Sequence, residues 1–281
     1  MKKMFALVLA VLMVAALLAG CGSSTAETKA PETTAAPAPA ATEAAAPAET
    51  EAAAPAFTTI ESGKLIMSTN AAFPPYEMVA DDGSLEGIDV EIAGAIAKKL
   101  GLELVVDDMD FDAALLAVQQ GKSDIVMAGV TVNEDRKLVM NFSDTYSKGV
   151  QVVIVKEGSD VTLDNLGDQM IGTQRGTTGY IYTSGDYGED HVTAYDNGAS
   201  AVQALANGQV DCVVIDSAPA QAFVEANPGL TILDTEYTSE DYAIGMSKDN
   251  TALLEAINGA LKELTEDGTI PAIVEKYIPT K

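Results

Sequence analysis

Short apolar runs alternate along the chain with stretches whose apolar residues recur every three or four positions. This is the pattern of strands interleaved with helices. Lys64–Ser68 predicts a first strand. Asp89–Leu100 predicts a helix, with Val90, Ala93, Ile96, Ala97 and Leu100 at helical spacing and Gly101 as its stop. Leu102–Val106 predicts the next strand, Phe111–Gln120 a helix closed by Gly121, and Asp124–Ala128 a strand. Val150–Lys156 is a strong apolar strand and Met170–Gly172 another, while Thr251–Tyr277 is helical with a break near Gly268 and Pro271. The alternation is that of an α/β protein.

One unit occurs twice. Ala114–Gly129 reads ALLAVQQGKSDIVMAG and Ala201–Asp216 reads AVQALANGQVDCVVID. Each is an amphipathic helix, a Gly, two residues, an Asp and a buried strand, with Gly121 and Asp124 matching Gly208 and Asp211. Such units are common in α/β proteins. The repetition is also what two similar lobes, each with its own sheet, would produce. In open α/β sheets ligands sit beyond the carboxyl ends of strands. That directs attention to Gly129–Arg136, to Gln174–Gly179 and to Asp216.

The first 56 residues follow other rules. Lys2 and Lys3 precede an uncharged apolar run from Met4 to Leu18, short for a membrane span of roughly 20 residues and suited to a secretory signal peptide. Leu18-Ala19-Gly20-Cys21 resembles a bacterial lipobox, which implies cleavage after residue 20 and lipidation of Cys21. Gly22–Ala56 lacks Leu, Ile, Val and aromatic residues and is expected to be a disordered stalk. With Cys21 lipidated, Cys212 has no disulfide partner, so the remaining 225 residues must rely on their core.

Charge narrows the partners. Residues 57–281 carry 37 acidic and 13 basic side chains. Such a surface does not bind nucleic acid or adhere to anionic lipid, so any membrane attachment is expected through the lipid anchor alone. No cofactor or metal set is expected. His191 stands alone, there is no HExxH, Walker or GxSxG motif, and Gly176–Gly179 lacks the Walker lysine. Mid-strand Cys212 reads as an inert core thiol.

Arginine is rare: 14 Lys accompany only Arg136 and Arg175, both just past predicted strand ends. The planar guanidinium matches a carboxylate with two hydrogen bonds, whereas a surface salt bridge would use either residue trivially. Asp216 ends the apolar run Cys212–Ile215. There it can pair a substrate ammonium, cap the helix that Ser217 begins, or do both. Phe73, opening Phe-Pro-Pro-Tyr, and Phe111 can cover an aliphatic stem or serve the core.

These residues resemble the family 3 extracellular solute-binding proteins of bacterial ABC transporters, in the polar amino acid group. The resemblance is carried by Ser68–Glu77 (STNAAFPPYE), Gly87–Glu91, Met109–Asp112, Ala128–Arg136 (AGVTVNEDR), Asn141–Asp144 and Gly176–Thr178. It implies a two-lobed periplasmic-binding-protein-like fold of type II, each lobe a sheet flanked by helices, joined by two hinge strands. Lobe one would comprise 57–146 with 241–281, and lobe two 147–240. It implies that Arg136 grips an α-carboxylate, helped by Thr131 and the backbone at Thr178. Asp216 and the Gly129 carbonyl would hold the α-ammonium, Phe73 and Phe111 would sandwich the side chain, and Asn70 and Gln174 would face its polar end. Members that take basic amino acids often carry an acid where Asn70 stands, so a neutral ligand such as glutamine is expected. The implied partner is an ABC permease at the extracellular face of the cytoplasmic membrane, and a monomer is expected. The competing readings are an enzyme on the same fold, resembling a cyclohexadienyl dehydratase, and an amino acid sensor or adhesin.

Overall fold

The computed structural model describes residues 57–234 and 236–279. The expected signal peptide, Cys21 and stalk lie outside the described residues. The chain opens with β1 (Lys64–Thr69), the short strands β2 (Ala72–Phe73), β3 (Glu77–Val79) and β4 (Leu85–Glu86), and helix α1 (Ile88–Leu100). There follow β5 (Glu103–Asp108), α2 (Phe111–Gln119), β6 (Ile125–Val126), α3 (Glu134–Val139) and β7 (Asn141–Lys156). Next come β8 (Ile171–Gln174), α4 (Thr178–Tyr187), β9 (Val192–Tyr195), α5 (Gly198–Ala206), β10 (Cys212–Asp216) and α6 (Ser217–Ala226). β11 (Leu230–Ile232), β12 (Thr238–Met246), α7 (Thr251–Glu266) and α8 (Thr269–Tyr277) complete it.

Nine strands form one hydrogen-bonded sheet, eight of them in the order β5-β1-β6-β12-β7-β10-β8-β9 and the ninth, β11, pairing with β7 off that path. β5, β1 and β6 are mutually parallel, as are β10, β8 and β9. The long antiparallel pair β7/β12 runs between these two parallel sets. Strands buried on both faces need continuous apolar runs. In β7, Val152 and Ile154 pack with Val213 and Ile215 against α5 and α6, while Val153 and Val155 pack on the other face with Cys212 and Val214. On the β1 side, Leu65, Met67, Ile125, Ile244 and Met246 form a core with α1, α7 and α8. Burial pushes the Cys212 thiol up to about 12, as befits an inert core group.

The repeat is one structural device used twice. Gly121 (φ +66°) and Gly208 (φ +72°) turn the chain after α2 and α5 in a backbone conformation that favours glycine. Asp124 accepts from the Ile66 amide at 2.8 Å while its own amide donates to the Ile66 carbonyl. Asp211 makes the same reciprocal pair with Met170. Each Asp therefore ties its own strand to the start of a parallel neighbour.

Three expectations need adjustment. β7 is 16 residues long and begins at Asn141, well before the expected Val150. Its first half mixes polar and small residues, and its pairing with β12, rather than any apolar run, makes it a strand. β6 is shorter than Asp124–Ala128, because the chain leaves the ladder after Val126. Gly268 does break the tail, whereas Pro271 sits in the first turn of α8, where a missing N–H breaks no intrahelical bond.

Candidate functional site

The ends of β1, β6, β8 and β10 and the start of α4 surround a narrow cavity. All nine sequence-predicted residues line it: Asn70, Phe73, Phe111, Gly129, Thr131, Arg136, Gln174, Thr178 and Asp216. Arg175 does not. Its exposed side chain lies 3.6 Å from Asp196 in a surface ion pair. His191 is not among the lining residues.

Arg136 is aimed by the turn that precedes it. Asn133 caps α3 by accepting the Arg136 amide at 2.8 Å. The buried guanidinium lies over the Phe111 ring, 5.3 Å from its centroid. It donates to the Thr131 carbonyl at 3.0 Å and the Gly176 carbonyl at 3.1 Å. A guanidinium has five N–H donors, so these bonds leave others to face the cavity. Burial lowers its pKa and the carboxylate of Glu240 opposes that shift, so the group remains a cation.

Asp216 ends β10 and caps α6, accepting the Ala218 amide at 3.2 Å. Its other oxygen accepts the Val150 amide at 2.9 Å and the Tyr242 hydroxyl at 2.6 Å. Burial pushes its pKa up to about 6, against the pull of those hydrogen bonds. The site thus sets a buried cation and a buried carboxyl into the wall of one cavity.

The remaining walls are set by close approach. Gly129 has φ +54°, and a Cβ there would stand 2.8 Å from the Phe73 ring, so only glycine fits. Phe73 stacks on Tyr76 with centroids 5.7 Å apart. Asn70 and Gln174 bond one another at 2.9 Å, and Asn70 also donates to the Met109 carbonyl. Thr178 is the first residue of α4, whose N-terminus meets the cavity, a position that favours an anionic group.

Sequence reasoning missed Glu240, Gln151, Tyr242 and Glu77. Buried Glu240 accepts from Thr131 at 2.8 Å, Thr178 at 3.0 Å and Gln151 at 3.3 Å. One signal could have found it: Glu240, Tyr242, Ile244 and Met246 alternate along one strand and all are buried. Gly149 on β7 supports the same wall. A Cβ added there would lie 2.5 Å from the Tyr242 hydroxyl and 2.6 Å from Asp216. Gly149→Ala is expected to cost about 1–3 kcal/mol through displaced side chains, and to weaken ligand binding as it moves Asp216. Thermal unfolding and calorimetry check both effects.

Comparison with known proteins finds relatives over most of the described chain. The family model for bacterial extracellular solute-binding proteins, family 3, matches residues 65–280. A mutant of ArgBP from T. maritima is 39% identical with TM-score 0.73, covering 78% of this chain and 96% of that one. An ancestral arginine-binding protein bound to glutamine is 40% identical with TM-score 0.74, covering 78% of this chain and all of the other. The L-cystine-binding protein TcyJ of Escherichia coli (strain K12) is 30% identical over 221 residues, 77% of this chain and 83% of its own length. The match spans most of the described fold and the whole cavity wall, and the chain belongs to the bacterial extracellular solute-binding proteins, family 3.

Proposed function

We propose that this chain captures one polar L-amino acid between Arg136 and Asp216 and delivers it to an ABC permease. The observation that carries this reading is the pair of opposite buried charges lining one cavity. An α-amino acid is a zwitterion, and removing both its charges from water requires a partner of opposite sign for each. Arg136, Thr131 and the α4 N-terminus suit the α-carboxylate. Asp216 and the Gly129 carbonyl suit the α-ammonium, and Phe73 and Phe111 the stem.

The two charged partners of the ligand would lie on different lobes: 57–146 with 241–281 for Arg136, and 147–240 for Asp216. β7 and β12 then serve as the hinge. A ligand that contacts both lobes only when they are together favours the closed state, which the permease would read. Once the signal peptide is removed, lipidated Cys21 would hold the protein, as a monomer, at the extracellular face of the cytoplasmic membrane. No helix among the described residues is long and apolar enough to cross it.

The Asn70–Gln174 amide pair favours a neutral polar side chain such as that of glutamine. A second reading, a basic amino acid, is favoured by the Glu240 carboxyl beside the cavity. Calorimetry against single L-amino acids decides between them, since arginine binding far tighter than glutamine would reverse the preference. Incubation with amino acids should give no turnover. Any product would support an enzyme instead.

A pH dependence follows from Asp216. Its ordinary value of 3.8 is raised to about 6, and an ammonium ligand needs it ionised. Affinity is therefore full above that value and falls as pH drops through it, by at most about tenfold per pH unit. Calorimetry from about pH 8 to about pH 5 checks this, and an affinity that rises toward acid would contradict it.

A further inference from the structure

Two carboxyls behind the cavity play no part in the clamp. Glu77 on β3 lines its wall, Asp89 stands in the first turn of α1, and both are fully buried. The Asp89 amide donates to the carbonyl of Tyr76, the residue before Glu77, at 2.9 Å, which brings the two acids together in the interior, where each shifts the titration of the other. Asp89 Oδ2 accepts the Gly129 amide at 2.9 Å and the Tyr146 hydroxyl at 2.8 Å. Asp89 Oδ1 and both Glu77 oxygens have no hydrogen-bond partner among the described residues.

Among the described residues, no basic side chain is found acting on either carboxyl. Glu77 faces Asp89 and, further off, Asp108 at the end of β5. Asp89 faces Glu77 and Tyr146 of β7, and Tyr76 lies beside all three. Both tyrosines are pushed further toward their neutral form, Tyr76 by burial and then by Asp216, Asp89 and Glu77, and Tyr146 by burial and then by Asp89 and Glu77. Two adjacent carboxylates in a low-dielectric interior with no cation cannot both remain ionised. Two acceptor oxygens facing each other are satisfied by one proton between them, which turns an unpaired contact into a charge-assisted hydrogen bond.

We infer that Glu77 and Asp89 share a single proton, and that this carboxyl–carboxylate pair is a positioning element that fixes Gly129 in the ligand cavity. The proton resides on Glu77, whose oxygen donates to Asp89 Oδ1. Asp89 carries the charge at neutral pH: burial raises its pKa to about 6, and the Gly129 amide and the Tyr146 hydroxyl hold it from rising further by stabilising its anion. The negative end of Asp89 then holds the Gly129 peptide, whose carbonyl faces a ligand ammonium. This last role rests on the amino acid reading of the cavity, whereas the shared proton does not.

The linkage has a definite sign. The pKa of Glu77 is raised well above its ordinary 4.5, mainly by burial and next by Asp89. The folded protein keeps this proton where the unfolded chain has released it. The contribution is thus fully present below pH 4.5 and is lost as pH rises toward the raised folded value.

The test is a carboxyl-13C NMR titration of glutamate-labelled wild-type protein without added amino acid, with Glu77→Gln and Glu240→Gln as assignment variants. The pair predicts one glutamate still protonated at neutral pH, missing in Glu77→Gln and retained in Glu240→Gln, while exposed glutamates titrate near about pH 4.3. In calorimetry with L-glutamine and L-arginine, Glu77→Ala is expected to weaken binding about tenfold. Glu77→Gln, whose amide donates in the proton's place, is expected to recover it to within about threefold. Glu77→Gln should also flatten the fall of thermal stability between acid and neutral pH. A wild-type spectrum in which every glutamate is ionised at neutral pH overturns the shared proton, whether or not the variants fold. A glutamine variant that binds as poorly as the alanine variant overturns the positioning role. Neither amino acid binding wild type would instead defeat the reading of the cavity and leave the titration result standing.

Discussion

Arg136→Ala is expected to weaken amino acid binding by about 2–5 kcal/mol, roughly 30-fold to several-thousandfold. The loss is large because the substitution leaves a ligand carboxylate buried without its cation, which costs more than the missing bonds alone. It also releases the Thr131 and Gly176 carbonyls that the guanidinium joins across the cavity. Arg136→Lys should not restore the affinity, because an ammonium cannot present the planar fork that spans both a carboxylate and the two carbonyls. Calorimetry with the amino acid that wild type binds best gives the comparison, and a loss of tenfold or less would remove Arg136 from its assigned role.

Asp216→Asn is the second large effect, expected at about 2–4 kcal/mol of binding. The amide nearly matches the carboxyl in shape but cannot neutralise an ammonium. The three donors around Asp216 are the Val150 and Ala218 amides and the Tyr242 hydroxyl. An amide nitrogen must replace one of the oxygens they address, so the variant gives up the helix cap or the strand contact, at about 1 kcal/mol of stability. The contrast between a small shift in thermal unfolding and a large loss of affinity identifies a ligand partner rather than a cap alone. The variant should also lack the decline in affinity toward acid described for wild type. Unchanged affinity with a lower unfolding midpoint would mean that Asp216 is only the cap of α6.

How far these roles could be read from the chain depends on how local their cause is. Gly121, Gly208, Asp124 and Asp211 were legible because turn chemistry and strand tethering act within a few residues. Arg136 and Asp216 stood out because one is rare and the other ends an apolar strand. Gln174 and Thr178 were marked only as lying at and just past a strand end, and Asn70 only by the motif resemblance. Glu240 and Gln151 were invisible because they are brought to the site by the pairing of β7 with β12, an association between residues about 90 apart. The polar first half of β7 concealed that strand. Glu77 belongs to a family motif but carries no local sign that its carboxyl would meet Asp89 in the interior, since the two are joined only by the packing of β3 against α1.

The most direct measurement is a crystal structure of the protein grown with L-glutamine and, separately, with L-arginine. A charge clasp predicts one amino acid in the cavity, its α-carboxylate about 2.7–2.9 Å from the Arg136 guanidinium and its α-ammonium equally close to Asp216. A ligand bound elsewhere, or one whose charged ends touch neither side chain, would contradict it.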